Sequence, residues 1–186
     1  MPAPTPWKYA LTGGVGIVAG VALLSVDWSI AQLAAFVGLA LVARGALHLV
    51  TTVRFVGFAG AFAVLDVAGD LGVGLTVVSW PGPTKLTLAL LIGAWAIIRA
   101  TAGATIAITT RAENSWWVPS IVFAATAGVL GAVLIARSGG PLHATVVTVG
   151  VLALVEGTRD VVGAAWLARH AHGSRRVAGG RSTAAA

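Results

Sequence analysis

The sequence has no cysteine and very few charged residues. Without cysteine there is no disulfide, no thiolate nucleophile and no thiolate metal ligand, so the redox compartment of the protein cannot be inferred. Charged residues make up 10% of the chain and hydrophobic residues 58%, whereas a soluble domain carries about 25% charged residues. A soluble domain of 186 residues cannot bury this much apolar surface. The composition therefore predicts an integral membrane protein.

The formal charge of +6 is concentrated near the C-terminus, where five basic residues lie in the last 28 positions: Arg159, Arg169, Arg175, Arg176 and Arg181. A basic segment beside a membrane domain is typical of a cytoplasmic flank that contacts anionic lipid. We therefore expect residues 169–186 to be a basic, disordered tail rather than a nucleic-acid-binding surface. The N-terminus lacks the basic region of a signal peptide, so the first apolar stretch is expected to remain in the membrane.

Six apolar stretches are long enough to cross a bilayer, which takes about 20 residues of helix. They lie approximately at 8–26, 30–51, 56–78, 85–108, 117–136 and 143–167. Turn residues such as Trp80-Pro81-Gly82-Pro83 separate them. The sequence thus predicts an all-α domain of six transmembrane helices within residues 1–168.

Basic residues are distributed unevenly between the two sets of loops. With the N-terminus inside, two basic residues, Lys85 and Arg137, flank the helices on the outside. Seven lie on the inside: Lys8, Arg54, Arg111, Arg169, Arg175, Arg176 and Arg181. Positive charge favours the cytoplasmic side. A multipass protein of the cell membrane with both termini in the cytoplasm is therefore expected.

An internal repeat has a period of 55 to 57 residues. In each predicted second helix a glycine lies six residues before a charged residue: Gly38 and Arg44, Gly93 and Arg99, Gly150 and Glu156. The repeats span about 7–54, 56–111 and 116–168, one helical hairpin each. A repeat of two helices re-enters the membrane in the same orientation, so its copies are related by an axis along the membrane normal. Three hairpins with pseudo-threefold packing are the predicted architecture.

Glycines are the candidate helix-packing residues. The segment GGVGIVAG looks like a nucleotide-binding loop, but it lacks the preceding strand and polar context of that motif. Gly16 and Gly20 instead form a small-xxx-small face for close helix contact, which we expect within the first hairpin. The full set of predicted packing glycines is Gly16, Gly20, Gly38, Gly74, Gly93, Gly131 and Gly150.

Charged residues within the apolar stretches form the candidate functional network: Arg44, His48, Asp66, Asp70, Arg99, Glu156, Arg159 and Asp160. A charge at the centre of a membrane helix costs about 2.5–3.5 kcal/mol even on lenient scales, so such groups face partners or water inside a bundle. From their depths along consecutive helices, we expect Asp66 to pair with Arg99. Arg44 lies at a depth from which it can meet Glu156 or Asp66.

Three interpretations of this network remain open. The charges form structural ion pairs that fix helix register, or they line a proton or ion path. Alternatively, Arg44, Arg159 and Asp160 snorkel to the inner interface. The seven charged members comprise three arginines and four carboxylates, so one bound proton would balance the excess negative charge.

Several patterns resemble the HdeD-like acid-resistance membrane proteins, a family of short two-helix repeats. The resemblance covers most of residues 7–168 and comprises Trp7 followed by GGVGIVAGVALL, the turns VDW and SWPGP, and the helices FVGLALVARGALHLV and LIGAWAIIRATAGA. The third copy, VGVLALVEGTRDVV, departs by carrying Glu156 in place of arginine. The resemblance implies a cell-membrane protein linked to acid or general stress tolerance, with no catalytic residues to transfer.

Enzymatic patterns are weak. His48, His143, His170 and His172 show no metal-ligand spacing, and no serine belongs to a triad-like group. We therefore expect no catalytic residue, no metal and no cofactor. The alternative function is a small proton- or solute-conducting transporter or channel, and the sequence does not identify an oligomeric state or a protein partner.

Overall fold

A computed structural model describes residues 6–52, 58–112 and 114–182, with side chains for 7–50, 61–112 and 114–169. The secondary structure of this part of the chain consists of six α-helices. The helices are α1 Pro6–Ser25, α2 Ile30–Thr52, α3 Phe58–Ser79, α4 Lys85–Thr109, α5 Trp117–Ala136 and α6 Leu142–Ser182. The ends of α1 to α5 lie within two residues of the predicted ones. The predicted start of α3 at residue 56 and the inner-flank residue Arg54 lie outside the described residues.

Five helices, α1 to α5, are long and apolar enough to cross a membrane. At about 1.5 Å per residue, a helix of 20 residues is about 30 Å long, which matches the hydrocarbon layer. The sixth helix is not among the five, since Glu156, Arg159 and Asp160 interrupt its apolar sequence. The chain is thus a multipass membrane-type helical protein, and the sixth span stays a prediction.

Helix α6 is longer than the sequence predicts. It continues to Ser182, through most of the segment expected to be a disordered tail from residue 169. No proline follows Pro141, and arginine and alanine favour helix, so nothing in this stretch forces the helix to end. Contact between the basic residues of this segment and anionic lipid stays a prediction.

The helices form a closed ring in chain order. The closest neighbours are α1 with α6, α2 with α3, and α4 with α5, while the other neighbouring pairs are more loosely packed. Lys85 Nζ donates a hydrogen bond to the Gly140 carbonyl, which joins the turns before α4 and α6 at one end. At the other end the Trp116 and Trp166 rings lie 6.0 Å apart. We call the end where α1 begins the inner end; the pseudo-threefold relation stays a prediction.

The turn between α3 and α4 shows how the sequence sets these helix ends. Gly82 adopts φ +71°, a backbone conformation that residues other than glycine rarely adopt. Thr84 then caps α4: its side chain accepts a hydrogen bond from the Thr87 backbone, and the Thr87 hydroxyl accepts one from the Thr84 backbone. This reciprocal pair satisfies two of the free N–H groups at the helix start.

Apolar side chains cover both the inside and the outside of the ring. Leu33, Leu134 and Ala89 are buried in its core, whereas Val18 and Val129 are largely exposed on its outer surface. A helix that is apolar on all sides is typical of a membrane span. The outward residues suggest contact with lipid, and the buried charged residues Arg44, Asp70, Arg99 and Glu156 lie inside the ring.

Candidate functional site

One group of ionisable side chains lies inside the ring. Its members come from α2, α3, α4 and α6, and they are all eight residues of the predicted network: Arg44, His48, Asp66, Asp70, Arg99, Glu156, Arg159 and Asp160. We call this group the charge cluster. A helix ring allows this convergence because residues at similar depth on different helices face the same axis.

Arg99 contacts three carboxylates on α3 and α6. Its Nε lies 2.6 Å from Asp66 Oδ1, and its Nη2 lies 3.0 Å from Glu156 Oε2. Asp70 Oδ1 lies 3.6 Å from Nη1. The Arg99 side chain is only 8% exposed, so burial strengthens each interaction while making any unpaired charge costly. Asp66 with Arg99 is the pair that the helix depths predict.

Arg44 shares one of those carboxylates. Its Nη2 donates hydrogen bonds of 3.1 Å to Glu156 Oε2 and of 3.1 Å to Asp160 Oδ2. Of the two partners considered from the sequence, Glu156 is the one that Arg44 contacts. Arg44, Arg99 and Glu156 occupy equivalent positions of the three repeats, and they meet at the single Oε2 atom. The glutamate of the third repeat thus prevents three buried guanidinium groups from facing one another.

His48 and Arg159 lie on the inner side of the cluster. His48 Nδ1 is 3.1 Å from Asp66 Oδ2, and His48 Nε2 is 4.0 Å from Asp160 Oδ2. Arg159 Nη1 is 3.8 Å from Glu156 Oε2 with its side chain 31% exposed. Arg44 is buried, Asp160 is partly buried, and the two side chains are paired with each other.

Trp95 is a member of the site that sequence reasoning missed. Its indole Nε1 donates a 2.9 Å hydrogen bond to Asp70 Oδ1, and Asp70 is fully buried. Gly69 makes this possible, because a Cβ at that position would overlap the Trp95 ring. The available signal was helical spacing, since Trp95 lies four residues before Arg99 and on the same helix face.

Three potential metal ligands lie close together: ligand atoms of His48, Asp66 and Asp70 are all within 4.8 Å of one another. Both carboxylates already face a guanidinium group, from Arg99 and from Arg44. A divalent cation would meet these two positive charges at short range. Ion pairing with arginine therefore accounts for the convergence of the carboxylates.

Two cavities lie on opposite sides of the charge cluster and share Arg99 as a wall. The inner cavity, which we call the vestibule, has a volume of about 270 Å³ and includes Tyr9, His48, Asp66, Arg159 and Asp160 in its lining. The outer cavity has a volume of about 90 Å³ and is lined mainly by apolar residues of α1, α2, α4 and α6. Polar groups therefore lie mainly in the inner half of the ring.

The predicted packing glycines lie where neighbouring repeats meet. A Cβ on Gly20 would lie 2.8 Å from the Gly150 carbonyl oxygen, and one on Gly93 would lie 2.8 Å from that of Gly131. Gly38 and Gly74 form the corresponding close pair of α2 with α3, and Gly16 lies against Gly157 of α6. The expectation that Gly16 and Gly20 pack within the first hairpin is therefore wrong, because their partner is α6. Sequence reasoning also missed Gly13 and Gly157, whose backbones touch at the same contact.

Comparison with known proteins gives one match. A family model described as a short repeat of unknown function (DUF308) matches residues 68–136. HdeD-like membrane proteins are in this family. No curated protein and no solved structure matches the chain.

The segment similar to DUF308 runs from the middle of α3 to the end of α5. It supplies Asp70, Trp95 and Arg99 to the charge cluster, together with the Gly93–Gly131 contact. The remaining charges come from α2 and α6 and, in the case of Asp66, from the first half of α3. The similarity thus supports a helical membrane repeat. It does not indicate the chemistry of the site, which is inferred from the geometry.

Proposed function

We propose that this chain is a non-enzymatic, multipass protein of the cell membrane, of the HdeD-like type, that contributes to acid or general stress tolerance. In this proposal the charge cluster takes up one proton from the cytoplasmic side. The observation that carries it is the composition of the cluster: three arginines and four carboxylates in mutual contact, with one negative charge in excess.

One added proton brings the net charge of the cluster to zero. His48 contacts Asp66 and is close to Asp160, so a proton on His48 lies between two carboxylates. An excess charge inside a membrane protein is costly, and uptake of a proton removes it.

The vestibule gives the proton its route. Asp66 and Asp160 belong both to the charge cluster and to the vestibule lining, and the Asp66 side chain is 29% exposed. The vestibule lies toward the inner end of the ring. With the predicted topology this end faces the cytoplasm, so the cluster is placed to respond to cytoplasmic acidification.

Proton or solute conduction is the second candidate, and the two cavities on either side of the cluster favour it. Conduction needs a continuous polar path, and the outer cavity is lined by side chains such as Leu23, Val37, Ile92 and Leu152. The mainly apolar outer half therefore lacks a continuous polar path, which favours proton binding over proton passage.

The test is the substitution Asp66→Asn, because asparagine has the shape of the protonated acid and cannot release a proton. We expect cells that make Asp66→Asn protein to survive acid challenge less well than wild-type cells, while the amount of folded protein at neutral pH stays nearly unchanged. Asp27→Asn, which alters an exposed acid in the turn after α1, is the matched control. Wild-type survival of Asp66→Asn cells would contradict the proposal.

Proteoliposomes with an imposed pH gradient separate the two candidates. Proton binding without passage predicts no flux above that of empty liposomes, even with the wild-type chain. A steady flux that Asp66→Asn abolishes would favour the conducting alternative.

A further inference from the structure

The outer cavity has the dimensions of a site for a very small ligand. Its volume is about 90 Å³, and an engineered cavity of about 150 Å³ in another protein takes up benzene. A molecule of about four or five heavy atoms is therefore the appropriate size. Apart from three charged residues, the lining consists of apolar side chains, Trp95 and Gly16.

The three charged residues of the lining carry a net positive charge. They are Arg44, Arg99 and Glu156, two guanidinium groups against one carboxylate. Outside the lining, Asp66, Asp70 and Asp160 also contact these guanidinium groups. Among the described residues, Arg44 Nε is buried and has no hydrogen-bond partner, since the ion-paired Asp70 Oδ2 is 3.7 Å away. A buried donor without a hydrogen bond is costly, and a carboxylate on a ligand is the group that guanidinium binds best.

A route from the bilayer leads to this cavity between α1 and α2. A groove of about 690 Å³ on the lipid-facing surface of these helices shares four wall residues with the cavity: Val15, Ala19, Phe36 and Ala40. The two helices are one of the more loosely packed neighbouring pairs. On the groove side, a Cβ at Gly14 would meet nothing within 4 Å. Only a thin wall of mostly small side chains separates the cavity from lipid.

We propose that the outer cavity binds a short-chain monocarboxylic acid, which enters from the bilayer between α1 and α2. The carboxylate lies at Arg44 and Arg99, and the short apolar chain packs among α1, α2, α4 and α6. Such an acid dissolves in lipid in its protonated form, so this route requires no polar path.

The charge balance of this site rests on the proton uptake proposed above. The charge cluster consists of Arg44 and His48 of α2, Asp66 and Asp70 of α3, Arg99 of α4, and Glu156, Arg159 and Asp160 of α6, and Tyr9 of α1 faces it. The cluster carries one negative charge without the proton and none with it. A carboxylate bound to the protonated cluster restores one negative charge, so an acid that brings its own proton leaves the net charge unchanged. Binding is therefore expected to be tighter at mildly acidic pH than at neutral pH.

The experiment measures radiolabelled propionate binding to the full chain in lipid nanodiscs, with empty nanodiscs as the blank. We expect saturable binding of one propionate per chain, in the micromolar to millimolar range that the ceiling on binding free energy per heavy atom allows. Propionamide, which has the same shape but no carboxylate, should compete poorly. Binding equal to that of empty nanodiscs, or equal competition by propionamide, would overturn the proposal without any need for a variant.

Ala40→Leu places a larger side chain in the shared wall and should weaken propionate binding at least tenfold. Ala35→Leu makes the same change at an exposed position of α2 and should bind like wild type.

Octanoate tests the alternative of a long chain that extends into the groove. Binding of octanoate without binding of propionate would contradict a short-chain site. Two results together would refute the proposed function and support the binding site: propionate binds saturably and Ala40→Leu weakens it, while Asp66→Asn cells survive acid normally. The opposite pair of results would refute only the binding site.

Discussion

Glu156 shows how a single residue reconciles a repeated sequence with a buried charge cluster. Its Oε2 atom accepts contacts of 3.1 Å from Arg44 and 3.0 Å from Arg99, the residues at the equivalent positions of the other two repeats. Three identical hairpins around one axis would bring three like charges together. The carboxylate of Glu156 therefore lies between two buried guanidinium groups, where an arginine would add a third.

Glu156→Arg, which restores the repeat, is expected to cost at least about 3–5 kcal/mol of stability, because it leaves uncompensated buried charge. Glu156→Gln should be tolerated much better, since it removes the excess negative charge and keeps the size of the side chain. The measurement is the fraction of monodisperse protein after extraction in detergent, followed by thermal unfolding. Equal stability of the two variants would show that the three positions do not meet.

Trp95 and Asp70 form the most deeply buried polar contact of the site. Trp95→Phe removes the 2.9 Å hydrogen bond to Asp70 and leaves an acceptor that is fully buried. The expected loss is about 1–3 kcal/mol, the usual penalty for an unsatisfied buried group. Thermal unfolding in detergent is the measurement.

The matched control for that substitution is Trp28→Phe. Trp28 Nε1 donates to the carbonyl of Leu23 in the last turn of α1, where the acceptor is neutral and the hydrogen bond is only partly buried. Its loss should be smaller, about 0.5–1.5 kcal/mol. A larger effect at Trp28 than at Trp95 would argue against a special role for Asp70.

At the residue scale, sequence and structure agree where a residue is anomalous in its context. A charge within an apolar run stands out, and for that reason all eight ionisable members of the site were identified from the sequence. Trp95 and Gly69 are ordinary residues of membrane helices. Spacing places Trp95 on the same face of α4 as Arg99, but the contact of Trp95 with Gly69 and Asp70 depends on how α3 and α4 pack.

At the scale of the elements, the sequence did not predict which helices pack in close pairs. Hydropathy and turn residues placed the ends of α1 to α5 within two residues, because bilayer thickness sets the length of a span. The repeat also identified glycines at matched positions. It could not say which neighbour each glycine touches, since both the preceding and the following helix lie next to it in a ring.

Gly20→Leu tests the contact between α1 and α6. A Cβ at Gly20 would already lie 2.6 Å from Leu154 Cγ and 2.8 Å from the Gly150 carbonyl oxygen, so leucine must push the helices apart. Overpacking of this kind costs about 1–3 kcal/mol. Gly14→Leu, on the same helix, meets nothing within 4 Å and should unfold like wild type. If both variants unfold at the wild-type temperature, the close approach of α1 and α6 is refuted.

At the scale of the whole molecule, the orientation of the ring decides which compartment the vestibule faces. The structure places the turns before α4 and α6 at one end through the bond from Lys85 to Gly140. The other end holds the turn before α5, with Trp116 near Trp166. The basic residues predict which end lies inside the cell: Arg111 and Arg169 lie toward the inner end, Lys85 and Arg137 toward the outer end.

Single cysteines give a direct test, because the natural chain has none. Ser115→Cys and Gly139→Cys lie at exposed positions in turns at opposite ends of the ring. With both termini in the cytoplasm, a maleimide that cannot cross the membrane should label Gly139→Cys in intact cells and Ser115→Cys only after permeabilisation, because positive charge holds the inner end on the cytoplasmic side. The reverse pattern would place the vestibule outside the cell. Asp66 would then meet external rather than cytoplasmic protons, and acid survival would have to be tested against the external pH alone.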